Sequence, residues 1–193
     1  MSLTAIGLTV AVSNLSAEYH ALGNPKAIVQ LLRKALTAFL VLFALVAGVT
    51  VLLYDPISVY LLGDARTQLG LLLLLPCILL TGIENLHKHY FYGTGNIRPP
   101  AVVELTEQFI RTGAVLGLLV LLLPQYPERV VGIIVAGMCC SELFSSVTLV
   151  LLFRRHMGRP AALPGKGEDP RRLKRRMCSI ALPIAATALL GNL

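Results

Sequence analysis

Four apolar runs set the limits on this fold: Ala35 to Tyr54, Gln68 to Glu84, Ala101 to Leu123 and Val130 to Phe153. A helix needs about 20 apolar residues to cross a bilayer, and these runs meet or approach that length. Two partial runs flank them, Leu3 to Ala17 and a last one from near Met177 to Leu193. In lipid the backbone must satisfy its own hydrogen bonds, so runs of this kind fold as helices. The expected fold is all-α, a polytopic membrane helix bundle.

Composition agrees. Of the 193 residues, 55% are hydrophobic and 14% charged, and the mean hydropathy is +0.74. A soluble domain carries about 25% charged residues. The formal charge of +7 does not point to nucleic acid, because nine of the 17 Lys and Arg lie between Arg154 and Arg176, between two apolar runs. Positive charge gathered in this way marks a cytoplasmic loop. Lys26, Arg33, Lys34, Lys88 and Arg98 fall in loops on the same side, while Arg66 and Arg129 fall opposite: fourteen against two. The expected location is a cell membrane, multi-pass, with the first residue outside and 154–176 cytoplasmic. The first 17 residues contain no Lys or Arg, so no signal peptide is expected. An external start and an end inside an apolar run are read as truncation at both ends.

Local signals divide the chain. Asn24-Pro25 is an N-cap with proline at the first helical position. Tyr54-Asp55-Pro56 ends a span, and Gly93-Thr94-Gly95-Asn96 before Pro99-Pro100 is a turn that restarts a helix. Pro124 to Pro127 is a tight turn, and Arg159 to Pro170 is a flexible linker. Pro76, and Gly113-x-x-x-Gly117, permit bending and close helix contact. Tyr90, Phe91 and Tyr92 read as an interfacial aromatic belt. Glu84, Asn85, His87, Lys88 and His89 read as a solvated face. The cysteines, Cys77, Cys139, Cys140 and Cys178, read as packing residues without a disulfide framework.

The polar groups at membrane depth are the functional candidates. A charge there is costly and faces a protein interior or a water-filled path. Glu104, Glu107 and Arg111 share one helix face, and Glu107 can pair with Arg111 at i, i+4. Arg111 lies roughly 15 Å beyond Ala101, near mid-membrane. Glu142 shares a face with Ser145 and Ser146, a serine-lined carboxylate suited to an aqueous cavity, to ion or proton coupling, or to holding helices together. Gly-x-Ser-x-Gly, His-Glu-x-x-His and phosphate-loop patterns are absent, so no enzyme activity, catalytic residue, cofactor or metal is expected.

Tyr90-Phe91-Tyr92-Gly93-x-x-Asn96-x-x-Pro99, followed by Glu107-Gln108-x-x-Arg111, resembles a signature of the polysaccharide-flippase branch of the multidrug/oligosaccharidyl-lipid/polysaccharide exporter superfamily. Ser13-Asn14-Leu15-Ser16-Ala17-Glu18 before Gly23-Asn24, and the basic stretch leading into Ile180-Ala181-Leu182-Pro183, are similar to further parts of it. Asn14 stands where that family usually has a basic residue, and Tyr92 where it usually has Gln.

The resemblance implies helices two to seven of a family with about twelve to fourteen. Residues 1–153 would be five helices of the N-terminal lobe, 154–176 a cytoplasmic basic linker, and 177–193 the start of the first helix of a C-terminal lobe, most of it missing. It implies a flippase of the bacterial inner membrane that moves a lipid-linked saccharide or peptidoglycan precursor by alternating access, with membrane lipid as surroundings and no nucleic-acid partner. Arg111, Glu107, Gln108 and Glu142 are the substrate-path candidates; Ser13, Glu18, Asn96 and Glu104 are weaker ones. A cation-coupled multidrug exporter and a non-transporting scaffold of a cell-wall or sporulation complex are the alternatives.

Overall fold

The computed structural model describes residues 2–53, 68–124, 126, 130–158 and 167–190. The break at Tyr54-Asp55-Pro56, loop residues Arg66 and Arg129, Gln125 and Pro127 of the Pro124–Pro127 turn, linker residues 159–166 and the last three residues lie outside them. Six helices occur among the described residues: α1 Ser2–Ala21, α2 Pro25–Leu52, α3 Gln68–Gly93, α4 Arg98–Leu122, α5 Val130–Met157 and α6 Pro170–Leu190. The fold is an all-helical membrane bundle. Three helices, α2, α4 and α5, are long and apolar enough to cross a membrane.

Two junctions share one local design. At the end of α1, Gly23 takes φ 63°, its N–H donates to the His20 carbonyl at 3.0 Å, and the Asn24 N–H donates to the Tyr19 carbonyl at 2.9 Å. After α3, Gly95 takes φ 74°, with Gly95 donating to Tyr92 at 3.1 Å and Asn96 to Phe91 at 3.0 Å. Both are Schellman caps, in which a left-handed residue satisfies the last helical carbonyls and glycine avoids the Cβ penalty. Asn24 then opens α2, its Oδ1 accepting from Ala27 N–H at 3.3 Å, with Pro25 first in the helix as expected.

The helices contribute to two compact units. The first comprises Met1–Phe39, Gly82–Pro100 and Leu149–Leu193. Ala11, Val12, Leu15, Ile28, Leu31, Leu86, Tyr90, Phe91, Leu149 and Leu173 form its core, each at most 1% exposed. Tyr90 packs edge-to-face on Phe153 with ring centroids 4.8 Å apart, and His87 does so at 5.4 Å. Tyr90 and Phe91 are therefore core residues and not an interfacial belt; Tyr92 alone of the three is exposed. Nor is the neighbouring polar stretch a solvated face. Glu84 and His87 are buried, and Glu84 pairs with Lys88.

Within this unit α1 lies against α6. Arg176 donates from one Nη2 to both Glu18 oxygens, at 2.6 and 2.9 Å, and a Cβ on Gly7 would strike the Ala181 carbonyl. Those Glu18 contacts raise the Arg176 guanidinium above its ordinary value. α6 begins at Pro170, earlier than the expected start near Met177, so the basic residues from Arg171 to Arg176 are helical. Asp169 caps it, its Oδ1 accepting from Arg171 N–H at 3.0 Å. α5 likewise continues past Phe153 to Met157.

The second unit comprises Leu40–Thr81 and Ala101–Thr148. Its helices turn apolar side chains outward: Val41, Leu45, Leu105, Phe109, Val120 and Leu143 are all more than half exposed. This suits a surface solvated by lipid. Gly113 and Gly117 have open space where a Cβ would sit, so the pair makes no close helix contact among the described residues; that role falls to Gly137, whose Cβ would meet Val115 Cγ2 at 2.7 Å. All four cysteines are free thiols; Cys77 is buried, whereas Cys140 and Cys178 are exposed.

Candidate functional site

The polar centre of the second unit is built by three helices whose outer faces are apolar. On α4, Val102, Leu105 and Phe109 are 63–79% exposed, whereas Val103 and Glu107 are 4% exposed. The helical repeat thus sends Glu107 and, one turn later, Arg111 inward. On α5, Leu143, Phe144 and Val147 face out, while Ser141, Glu142, Ser145 and Ser146 are buried. α3 supplies Thr81.

Arg111 is the hub. Its Nη2 donates to Glu142 Oε1 at 2.7 Å and to Glu107 Oε1, and its Nε reaches Ser141 Oγ at 3.3 Å. The Ser141 hydroxyl in turn donates to the Met138 carbonyl at 2.7 Å. On the far side of Glu142, Oε2 lies 2.8 Å from Thr81 Oγ1, and that hydroxyl is also 2.9 Å from the Cys77 carbonyl. One guanidinium is shared by two carboxylates whose side chains are 5% and 8% exposed. A buried charge is tolerable only when paired and hydrogen-bonded, and this network meets that condition.

Chemically, the arrangement can anchor three helices to one another, or exchange a partner. A second anion approaching Arg111, or a proton or cation arriving at a carboxylate, would have to compete with the internal pairs. Ser145 Oγ is buried without a hydrogen-bond partner among the described residues, and Ser146 bonds back to the Leu143 carbonyl at 3.2 Å.

The structure thus brings together Glu107, Arg111 and Glu142 of the sequence candidates. Gln108, adjacent to Glu107, points out and is exposed, and Glu104 is half-buried. Ser13, Glu18 and Asn96 belong to the first unit. The Ser13 carbonyl sits where a Cβ on Gly93 would be, Glu18 holds Arg176, and the Asn96 N–H closes a helix cap. Sequence reasoning missed Thr81. Its only signal was a hydroxyl residue within the apolar part of α3, and such residues commonly bond back to their own helix, as Thr81 also does.

No family model matches the sequence, and no solved structure matches it. Stage V sporulation protein B of Bacillus subtilis (strain 168) is 26% identical over 208 residues, covering 100% of this chain and 38% of the relative. The chain spans about two fifths of the length of that curated relative. Three bilayer-length apolar helices and this whole-length similarity agree on location. The chain is a multi-pass membrane protein.

Proposed function

We propose that the chain forms one helical wall of a membrane transporter, a flippase that moves a lipid-linked saccharide or a peptidoglycan precursor between leaflets by alternating access. One observation carries this reading: the Glu107–Arg111–Glu142 network, which places a shared guanidinium and two buried carboxylates inside an otherwise apolar bundle. Intramembrane ionisable groups of this kind mark substrate or ion paths. Arg111 holds the charge pattern of the path, and Glu142 is the partner that a substrate diphosphate, an ion or a proton would displace. The similarity to a protein named for stage V of sporulation supports a role in making a spore or cell envelope. The excess of Lys and Arg on one set of loops supports an orientation with 154–176 in the cytoplasm, and the similarity to a Bacillus protein supports a bacterial membrane.

Glu142→Gln in the intact gene product tests this reading. The amide keeps the shape and the Thr81 contact but gives up the charge. Complementation of a flippase-deficient strain is expected to fail for Glu142→Gln and for Arg111→Ala, with membrane levels of the Gln variant unchanged. Full complementation by both variants would leave the network a static anchor and favour the scaffold reading. Drug efflux in place of saccharide-lipid movement would favour the multidrug exporter.

A further inference from the structure

Within the first unit, α2, α3 and α5 enclose a cleft of about 480 Å³. Each helix contributes one polar lining residue with an apolar one about a turn further in: Arg33 and Leu36 on α2, His87 and Ile83 on α3, Arg154 and Val150 on α5, and Val29, Leu32, Phe153 and Met157 complete the apolar lining. α2 enters its apolar stretch as the numbers rise, so Arg33 lies nearer the end than Leu36. α3 and α5 leave theirs, so His87 and Arg154 lie nearer the end than Ile83 and Val150. All three helices place the polar residue about 5 Å closer to the helix ends than its apolar companion. The result is a basic belt over a hydrocarbon floor, with Val29 and Met157 flanking the belt nearer the helix ends.

The belt is electrostatically incomplete. Arg33 and Arg154 have no carboxylate partner among the described residues, in contrast to Lys88, Arg111 and Arg176. Between them, His87 donates from Nδ1 to the Ile83 carbonyl at 2.7 Å. A carbonyl can only accept, so Nδ1 carries the proton and the neutral ring keeps Nε2 as an acceptor. Burial, with Arg154 adding to it, lowers the pKa of this imidazole and favours that neutral form.

We infer that this cleft is a binding site for an anionic glycerophospholipid of the phosphatidylglycerol type, held with its phosphodiester between Arg33 and Arg154 and its acyl chains over Leu36, Ile83 and Val150. Guanidinium groups bind phosphate through paired N–H donors, and basic pockets between membrane helices take anionic headgroups. A glycerol hydroxyl can donate to His87. A choline or ethanolamine headgroup brings a cation to a belt that already holds two. A free phosphate makes no use of the floor.

Native mass spectrometry of the chain, in micelles with equal dioleoyl phosphatidylglycerol and dioleoyl phosphatidylcholine, tests the assignment. Phosphatidylglycerol is expected to be retained preferentially, with about fivefold lost for each arginine removed. Arg33→Gln with Arg154→Gln is expected to abolish the preference. Val150→Trp, which fills the floor and leaves the charge alone, is expected to lower occupancy by either lipid. Arg155→Gln with Arg175→Gln, off the cleft, is expected to change nothing. Undiminished preference in the Arg33/Arg154 variant would overturn the site. So would an equal loss in the Arg155/Arg175 control, which would mean a diffuse basic surface. Preferential displacement of phosphatidylglycerol by a polyprenyl phosphate would overturn the lipid assignment and give the cleft to a carrier lipid.

Discussion

Arg111 and Glu142, on different helices and 31 positions apart, are joined by a 2.7 Å hydrogen bond. The same guanidinium also holds Glu107 one turn earlier on its own helix. Neither carboxylate can find water instead, since their side chains are 5% and 8% exposed.

Removing the hub is therefore expected to cost more than removing a spoke. Arg111→Gln takes the guanidinium away from the buried Glu142 carboxylate, a loss of about 3–5 kcal/mol on the scale of broken buried pairs. Adding Glu142→Gln should return part of this, about 0.5–3 kcal/mol of coupling. Unfolding of the detergent-solubilised chain, run as a double-mutant cycle, measures both; strict additivity would show that the two side chains do not interact.

Glycine positions separate sharply. Gly93→Val drives a side chain into the Ser13 backbone carbonyl, and overpacking of this kind costs about 1–3 kcal/mol. Gly113→Val points into open space and should be neutral or slightly stabilising. Thermal unfolding of the two variants side by side checks the contrast.

The Glu18–Arg176 pair is accessible, with side chains 43% and 37% exposed. Its worth should be about 0.2–1 kcal/mol and should shrink as salt is added. Exchanging the charges, Glu18→Arg with Arg176→Glu, should recover most of what either single change loses. Stability measured at low and high salt shows whether the pair is electrostatic.

His87 and His89 make stability fall in acid. Burial lowers both imidazoles below the ordinary 6.5, with Arg154 and Lys88 as the respective secondary causes. The unfolded chain then binds protons that the folded chain refuses, so stability is complete above about pH 6.5 and declines as the pH drops below it. His87→Gln should flatten the decline. A stability profile from pH 7.5 to 5 that is unchanged by the substitution would remove His87 as its source.

Much of this was legible along the chain. Asn24-Pro25 opened a helix where the capping rule placed one, and the 3.6-residue repeat put Glu107 and Arg111 on one face. Glu142 stood out as a buried carboxylate, yet its bond to Arg111 depends on how two helices pack, which no local pattern encodes. Asp169-Pro170 carries the same cap-then-proline signal as Asn24-Pro25, but surrounding glycines, prolines and charges made it read as linker. Tyr90 and Phe91 follow an apolar run, where an aromatic ring serves equally at a lipid interface or in a core. Gly113-x-x-x-Gly117 has the spacing of a contact motif, but that spacing does not say which way the face points.

The clasp between α1 and α6 also sets a clock. Glu18 and Arg176 are 158 positions apart, and chains are synthesised at about 5–20 residues per second, so Glu18 waits about 8–30 s for its partner to be made. During that interval Gly7 and Glu18 present an uncovered face to the lipid or to the insertion machinery. Everything between them must already be made before this clasp can close. In this bundle α1 can meet α3 early, through Ser13 and Gly93, but its clasp to α6 closes late.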